Sequence, residues 1–218
     1  MKLTRQQISD AVAGHGWRLI LGTVQTHVLT ESLAVGAQFA GRVAEIARAD
    51  GHVLLDLRDD RVVVTVRSPN EDWVRPEDIE LALEITSLAH ALGLPVQVAG
   101  EPRTPQTIEI GIDALDIPAV LPFWKAVLGY VQQGRNALID PLFSGPAVWF
   151  QQMDAPRPQR NRIHFDVVVP DEEAQARIDA TLAAGGKLVY VEEAPAFWVL
   201  ADPEGNEACV CSWQGRDA

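Results

Sequence analysis

A histidine stands at the start of a predicted β-hairpin, where an imidazole ring could transfer protons. In DGHVLLDLRDDRVVVTV (residues 50–66), Leu55 and Leu57 alternate with polar residues before a turn at Asp59-Asp60, which is typical of two paired strands. His52 comes just before the first strand. Histidine suits general acid–base catalysis because its unperturbed pKa lies at about 6.5. The alternative is a partly exposed turn histidine with no chemical role.

Two further groups of residues could contact a ligand in the second half of the chain. The stretch APRPQRNR (residues 155–162) concentrates arginines, whose planar guanidinium groups suit a carboxylate or phosphate. Trp149 and Gln151 lie two apart, as Trp198 and Leu200 do, so each pair shares one face of a predicted strand. Aromatic rings on an open sheet face could stack on a flat ligand. Core packing and a solvated arginine loop or subunit contact are the alternatives.

The two cysteines of the chain, Cys209 and Cys211, lie together in EACVCSW. Strand residues two apart point to the same face and rarely form a disulfide, so the sequence predicts reduced thiols in a cytoplasmic protein. A reactive thiolate would need nearby positive charge, and a buried, inert thiol is the alternative. We expect neither a signal peptide nor a membrane-spanning helix, since no apolar run approaches about 20 residues.

The charge balance disfavours two classes of partner. The formal net charge of -12 opposes binding to nucleic acid, where lysine and arginine replace counterions, and binding to anionic membranes. We therefore expect no nucleic-acid partner and no membrane partner. The hydrophobic content of 47% is sufficient for the cores of one large domain or two small ones.

The first half of the chain shows alternating helix and strand patterns. The predicted elements are a helix over residues 4–13, one or two strands over 17–30, a helix over 32–49, the hairpin, and a helix over 75–94. The proline-rich stretch over residues 95–106 predicts a linker. We place the domain boundary near residue 103, which gives domains 1–103 and 104–218.

The second half contains an internal repeat of the pattern βαβββ. Its two units begin with IEIGIDALDIPAVLPFWKAVLGYV and IHFDVVVPDEEAQARIDATLAAGGKLVYV. Glu109 and His164 hold the same place in their first strands, and Asp116 and Asp171 follow at the same offset. Two such units side by side are expected to curl their sheets around a shared cavity.

This repeat resembles the vicinal oxygen chelate superfamily, especially its glyoxalase-like and bleomycin-resistance-like domains. The resemblance covers residues 107 to about 215, and PFWKAVLGY and the hairpin FWVLADPEGNEACV carry it. Enzymes of that family usually bind a divalent metal through four strand side chains. The resemblance places four residues at or near those positions: Glu109, Gln151, His164 and Cys209.

That set of four residues is unusual for the family, since an amide is a weak ligand and a thiolate favours softer ions such as zinc. We therefore expect no metal site and a cavity lined by polar and aromatic groups, with a divalent metal as the open alternative. The expected ligand-binding residues are those four together with Trp124, Trp149, Arg162 and Trp198.

The first half, from about residue 4 to 94, resembles pterin-4a-carbinolamine dehydratase, also called 4a-hydroxytetrahydrobiopterin dehydratase. That family carries His-His-Pro at the mouth of the hairpin, a later histidine, and an aspartate at the start of the last helix. The matching residues are His52 and Asp78, and the departures are Gly51, Val53 and Pro69. The resemblance implies that His52 and Asp78 are the catalytic residues of a site that has lost the family's other histidines. An aspartate in the first turn of a helix is also favoured by the helix dipole alone.

The expected fold is α+β, with an N-terminal pterin dehydratase-like α/β domain followed by a paired βαβββ glyoxalase-like domain. The resemblances imply bacterial cytosolic metabolism of a small heterocyclic molecule, with a degraded dehydratase site. The alternatives are a non-catalytic small-molecule binding protein of the bleomycin-resistance type, and a metal-dependent lyase or dioxygenase. Both families often associate, so a homodimer is expected.

Overall fold

The computed structural model of the chain describes residues 3–46, 49–69, 73–97, 105–156, 165–169, 171–212 and 214. Two of the expected ligand-binding residues, Arg162 and His164, lie outside these described residues. The chain divides into two compact units, residues 1–107 and 108–218, and the boundary that we predicted near residue 103 falls outside the described residues. No helix of the described part is both long and apolar enough to cross a membrane.

The first unit combines helices with a four-stranded antiparallel sheet. The helices are α1 (Arg5–Ala13), α2 (Leu33–Ala44) and α3 (Pro76–Ala91). The strands are β1 (Arg18–Ile20), β2 (Thr23–Leu29), β3 (Val53–Leu57) and β4 (Arg61–Val66), in the order β1-β2-β4-β3. Each element forms where the residue pattern predicted it, except that α2 ends at Ala44 rather than at residue 49 and α3 ends at Ala91 rather than at residue 94.

Alternation along the central strands builds the core of this unit. One face of β2 and β4 carries fully buried valines, which pack against apolar residues of the helices such as Phe39 and Ile85. Trp17 joins this core, and its Nε1 donates a hydrogen bond to Thr86 Oγ1 in α3 at 2.7 Å. Because β4 and α3 share one core, the open end of the hairpin is held beside the start of α3.

The second unit contains the predicted βαβββ pattern twice. The first repeat has β5 (Glu109–Ala114), α4 (Ile117–Leu128), β6 (Val131–Gln133), β7 (Ala137–Ile139) and β8 (Ala147–Gln152). The second has β9 (Phe165–Val168), α5 (Asp171–Ala183), β10 (Lys187–Tyr190), β11 (Phe197–Ala201) and β12 (Glu207–Cys211). The two four-stranded sheets have equivalent orders, β5-β8-β7-β6 and β9-β12-β11-β10, with the first and last strands of each repeat parallel.

Both helices and one face of each sheet form a single core in the second unit. Trp124 of α4 is fully buried there, and its ring meets Phe165 edge-on at 5.5 Å between ring centroids. Trp198 packs against the same core, since it shares its face of β11 with the buried Leu200. Our expectation that Trp124 and Trp198 line a ligand cavity is therefore corrected: both rings face the core.

A buried aspartate organises the turn DPEGN between β11 and β12. Asp202 Oδ1 accepts hydrogen bonds from the backbone N–H groups of Glu204 (2.9 Å) and Asn206 (2.8 Å). Its Oδ2 accepts from Trp124 Nε1 at 3.0 Å. The Glu204 carboxylate in turn accepts from the backbone N–H groups of Leu115 (3.0 Å) and Asp116 (2.7 Å), just before α4. The turn therefore ties the second repeat to the first.

We expect Asp202→Ala to destabilise the second unit by about 3 kcal/mol, because it leaves several buried donors without an acceptor. Urea unfolding followed by tryptophan fluorescence measures this loss. The matched control is Asp154→Ala, which removes an exposed aspartate of the same unit and should leave the midpoint unchanged. An unchanged midpoint for Asp202→Ala would show that the turn does not hold the repeats together.

Candidate active site and ligand-binding face

The open end of the β3–β4 hairpin positions His52. Val53 pairs with Val66 in the hairpin, and the backbone N–H of Arg67 donates to the His52 carbonyl at 2.9 Å. His52 therefore lies beside the segment that follows β4. Gly51 has a φ of 76°, in the left-handed region that favours glycine, so the turn into β3 requires this departure from the dehydratase pattern.

His52 contacts Asp78 directly. The distance from His52 Nδ1 to Asp78 Oδ1 is 2.7 Å, and the side chains are 28% and 0% exposed respectively. The other carboxylate oxygen, Oδ2, accepts from the hydroxyl of Ser68 and from the backbone N–H of Arg75, the latter at 2.8 Å. The carboxylate is buried but receives donors on both oxygens, so it is held in a single orientation.

This arrangement determines which ring nitrogen of His52 is available. A carboxylate can only accept hydrogen bonds, so the hydrogen between the two side chains belongs to Nδ1. The other ring nitrogen, Nε2, is then left to exchange protons with a bound molecule. Asp78 also occupies the first turn of α3, where the partial positive charge of the helix end stabilises a carboxylate. The helix-capping and histidine-orienting roles of Asp78 thus coexist.

Ser68 is the third side chain of this cluster, and it was not predicted from the sequence. The dehydratase pattern drew attention to Pro69, where the family carries a further histidine, and not to the residue before it. The hairpin register contains the missing signal, because residues just beyond β4 must lie beside those just before β3. Pro69 itself faces Gly51: a Cβ built at Gly51 would lie 3.5 Å from Pro69 Cγ. Neither residue supplies a proton-transfer group.

In the second unit, one face of the β5–β8 pair points away from the core. The parallel register places Gly111 opposite Trp149 and Asp113 opposite Gln151, and Glu109 shares their face two residues earlier. The intervening residues, such as Ile112 and Phe150, are buried. Glu109, Trp149 and Gln151 therefore occupy one open sheet face of the first repeat.

Trp149 is the largest side chain on this face. The residue is 37% exposed, and its ring lies against Gly111, where an added Cβ would come within 3.2 Å of the ring atom Cε2. A side chain at position 111 would therefore displace the ring. Glycine allows the indole to lie flat along the strand with its outer surface open, which is an arrangement suited to stacking on a planar ligand.

Cys209 lies in the second sheet, opposite Asp166 of β9. The thiol is buried, and burial together with its hydrogen bond to the Asp166 carboxylate raises its pKa to about 12. A neutral thiol is a poor metal ligand, since metals bind the thiolate. Within the described ranges, no group of three or more histidine, cysteine, aspartate or glutamate side chains could hold a metal ion. The described residues therefore supply no such cluster, and His164, one of the four expected positions, lies outside them.

A separate groove of about 440 Å³ lies in the first unit, between α2 and the end of α3. Phe39, Leu92 and Leu94 give it an apolar lining, and Arg42 and Glu45 are paired there at 3.0 Å. Neither His52 nor Asp78 lines it. The groove is therefore separate from the cluster of His52, Asp78 and Ser68.

Comparison with known proteins gave matches for each half of the chain. Residues 109–211 match the family model of the glyoxalase-like domain. Among solved structures, a glyoxalase-related enzyme from Fulvimarina pelagi is 17% identical, with a TM-score of 0.39 over 49% of this chain and 87% of its own. A fosfomycin resistance protein from Mesorhizobium loti is 9% identical, with a TM-score of 0.38 over 49% and 90%.

A transcriptional coactivator/pterin dehydratase from Brucella melitensis is 22% identical, with a TM-score of 0.37 over 41% of this chain and 99% of its own. None of the curated proteins compared with the chain matches it.

The segment that matches the glyoxalase-like family model runs from the start of β5 to the end of β12. Residues 109–211 therefore form a glyoxalase-like domain, of the vicinal oxygen chelate type.

Proposed function

We propose that the protein acts on or binds a small heterocyclic molecule. Its first unit would hold a pterin-carbinolamine dehydratase site that keeps one of the family's three histidines. Its second unit would hold a ligand-binding face. The observation that supports the first part is the 2.7 Å contact between His52 Nδ1 and the buried Asp78 carboxylate. An oriented imidazole with one free nitrogen is the minimum requirement for acid–base catalysis.

The chemistry of this site is a dehydration. The C–O bond of the carbinolamine breaks and a C=N bond forms, while one proton reaches the leaving hydroxyl and one leaves the nitrogen. A doubly protonated His52 delivers its Nε2 proton to the hydroxyl and then accepts the proton from nitrogen, so water is released and the ring is regenerated. Asp78 holds Nδ1 and stabilises the positive charge on the ring.

The reduced number of histidines limits the expected rate. Each general acid or base typically contributes about 10²–10⁴-fold, and Gly51 and Pro69 provide none at the positions of the family's other histidines. One histidine must therefore serve as both acid and base in turn. We expect activity well below that of a site with the full histidine set.

The second candidate function is binding without turnover, as in bleomycin-resistance-like domains. The exposed ring of Trp149 favours it, because it shares an open sheet face with Glu109 and Gln151. The ring supplies stacking area, and the carboxylate and amide supply polar contacts to a heterocycle. Metal-dependent lyase or dioxygenase chemistry stays an open alternative, for which the described residues supply no cluster of metal ligands.

The first test is a dehydratase assay with a 4a-hydroxytetrahydropterin. We expect the wild-type protein to accelerate water loss, and we expect both His52→Ala and Asp78→Asn to lower the rate by about 10²-fold or more, since each removes or misorients the proton-transfer group. The matched control is His15→Ala, which removes an exposed histidine outside the site. A wild-type rate equal to the uncatalysed rate would exclude this reaction and leave binding as the remaining function.

The second test concerns the open face of the glyoxalase-like domain. We expect Trp149→Ala to weaken the binding of biopterin about tenfold, because a stacked aromatic pair contributes about 0.5–1.5 kcal/mol beyond area burial. Isothermal titration calorimetry measures the affinity. Trp198→Phe, which changes an aromatic residue on the core side, is the control and should bind as the wild type does. Equal affinities for wild type and Trp149→Ala would contradict a ligand site on this face.

The third test concerns Cys209 and bears on the metal alternative. Because burial and Asp166 raise its pKa to about 12, the folded protein keeps this thiol protonated at neutral and mildly alkaline pH. In a Cys211→Ser background, we expect an alkylating reagent to react slowly with the folded protein and rapidly in urea, where the pKa returns to about 8.5. Equally fast labelling in both states would show that Cys209 is an accessible thiolate.

A further inference from the structure

The strand β10 presents an exposed apolar edge. Among the described strands it stands at the end of its sheet, paired on one side with β11. The four successive residues from Leu188 to Val191 are between 36% and 52% exposed, although all four are large and apolar. The outer side of an edge strand also carries backbone N–H and C=O groups able to pair with another strand. This edge is therefore suited to strand addition.

The register with β11 identifies the residue at the centre of this edge. Lys187 pairs with Ala201, Leu188 with Leu200, and Tyr190 with Val199, so Val189 has no register partner in β11. Such a bulge commonly protects an edge, but here it leaves the Val189 side chain about half exposed between two further apolar residues. Substitution of Val189 should therefore affect an outside partner more than it affects the pairing with β11.

We propose that β10 pairs antiparallel with β10 of a second copy of this chain, about a two-fold axis at Val189. The order of charges supports this partner: the strand begins at Lys187 and is followed by Glu192 and Glu193. Antiparallel pairing places each lysine beside the acidic turn of the other copy, whereas parallel pairing would place like charges together. The same patch thus complements itself, as a two-fold interface requires.

This pairing joins two four-stranded sheets into a continuous sheet of eight strands. Val189 then faces its own equivalent, and Leu188 faces Tyr190 of the partner subunit. The apolar side chains leave water, and the outer backbone groups of both strands gain hydrogen bonds. The interface does not involve His52, Asp78 or Trp149, so dimerisation and the proposed function can be tested separately.

Sedimentation equilibrium of the full chain over a wide concentration range tests this proposal. We expect the wild type to form a species of twice the 23.8 kDa chain mass, and Val189→Lys to remain at the chain mass because two lysines would meet at the axis. The control is Leu142→Lys, which adds the same charge at a residue that is 80% exposed elsewhere in the unit and should dimerise normally. Equal melting temperatures for the variants confirm that each is folded.

A charge exchange tests the orientation of the pair. Lys187→Glu should weaken the dimer about tenfold, because it places carboxylates beside the partner's acidic turn. Combining Lys187→Glu with Glu192→Lys and Glu193→Lys should restore the affinity. A monomeric wild type, a dimer that persists in Val189→Lys, or a charge exchange that fails to restore pairing would each overturn the proposal.

Discussion

The buried carboxylate of Asp78 is the constraint on which the first unit's site depends. Its two oxygens receive hydrogen bonds from three different segments: the residue before β3, the residue beyond β4, and the backbone at the start of α3. A carboxylate without exposure to water must be satisfied in this way, because an unpaired buried charge is very costly. The same contacts that satisfy the charge hold the imidazole of His52 in one tautomer. Folding and orientation of the proton-transfer group are therefore a single requirement.

A second buried carboxylate has the corresponding place in the glyoxalase-like domain. Asp202 closes the last hairpin and accepts from the indole of Trp124, while Glu204 accepts from the backbone just before α4. The turn that carried the family resemblance in the sequence thus joins the two repeats physically. The carboxylates of this turn accept hydrogen bonds within the domain, so they are not available to contact a ligand.

The open surfaces of the second unit follow from strand alternation. Each sheet buries one face against α4 and α5, so the residues between the buried ones must face outward. In β5 and β8 this outward face carries Glu109, Trp149 and Gln151, and glycine at 111 makes room for the indole. In β12 the corresponding position is Cys209, which also lies on the side away from the core but is buried, and burial and Asp166 hold its thiol neutral. The two sheets therefore differ in chemistry although their topology is the same.

Much of the architecture was determined by the sequence itself. The hairpin, the helix starts and the βαβββ repeat were predictable because hydrophobic periodicity and turn residues act locally. The period of two also predicted that Trp149 and Gln151 share a face, as Trp198 and Leu200 do. Only the tertiary structure decided which of these faces is covered: the helices pack on the face of Trp198 and leave that of Trp149 open. It likewise brought Ser68 to Asp78, because hydrogen bonds between distant segments depend on the packing of β4 against α3, which local pattern does not encode.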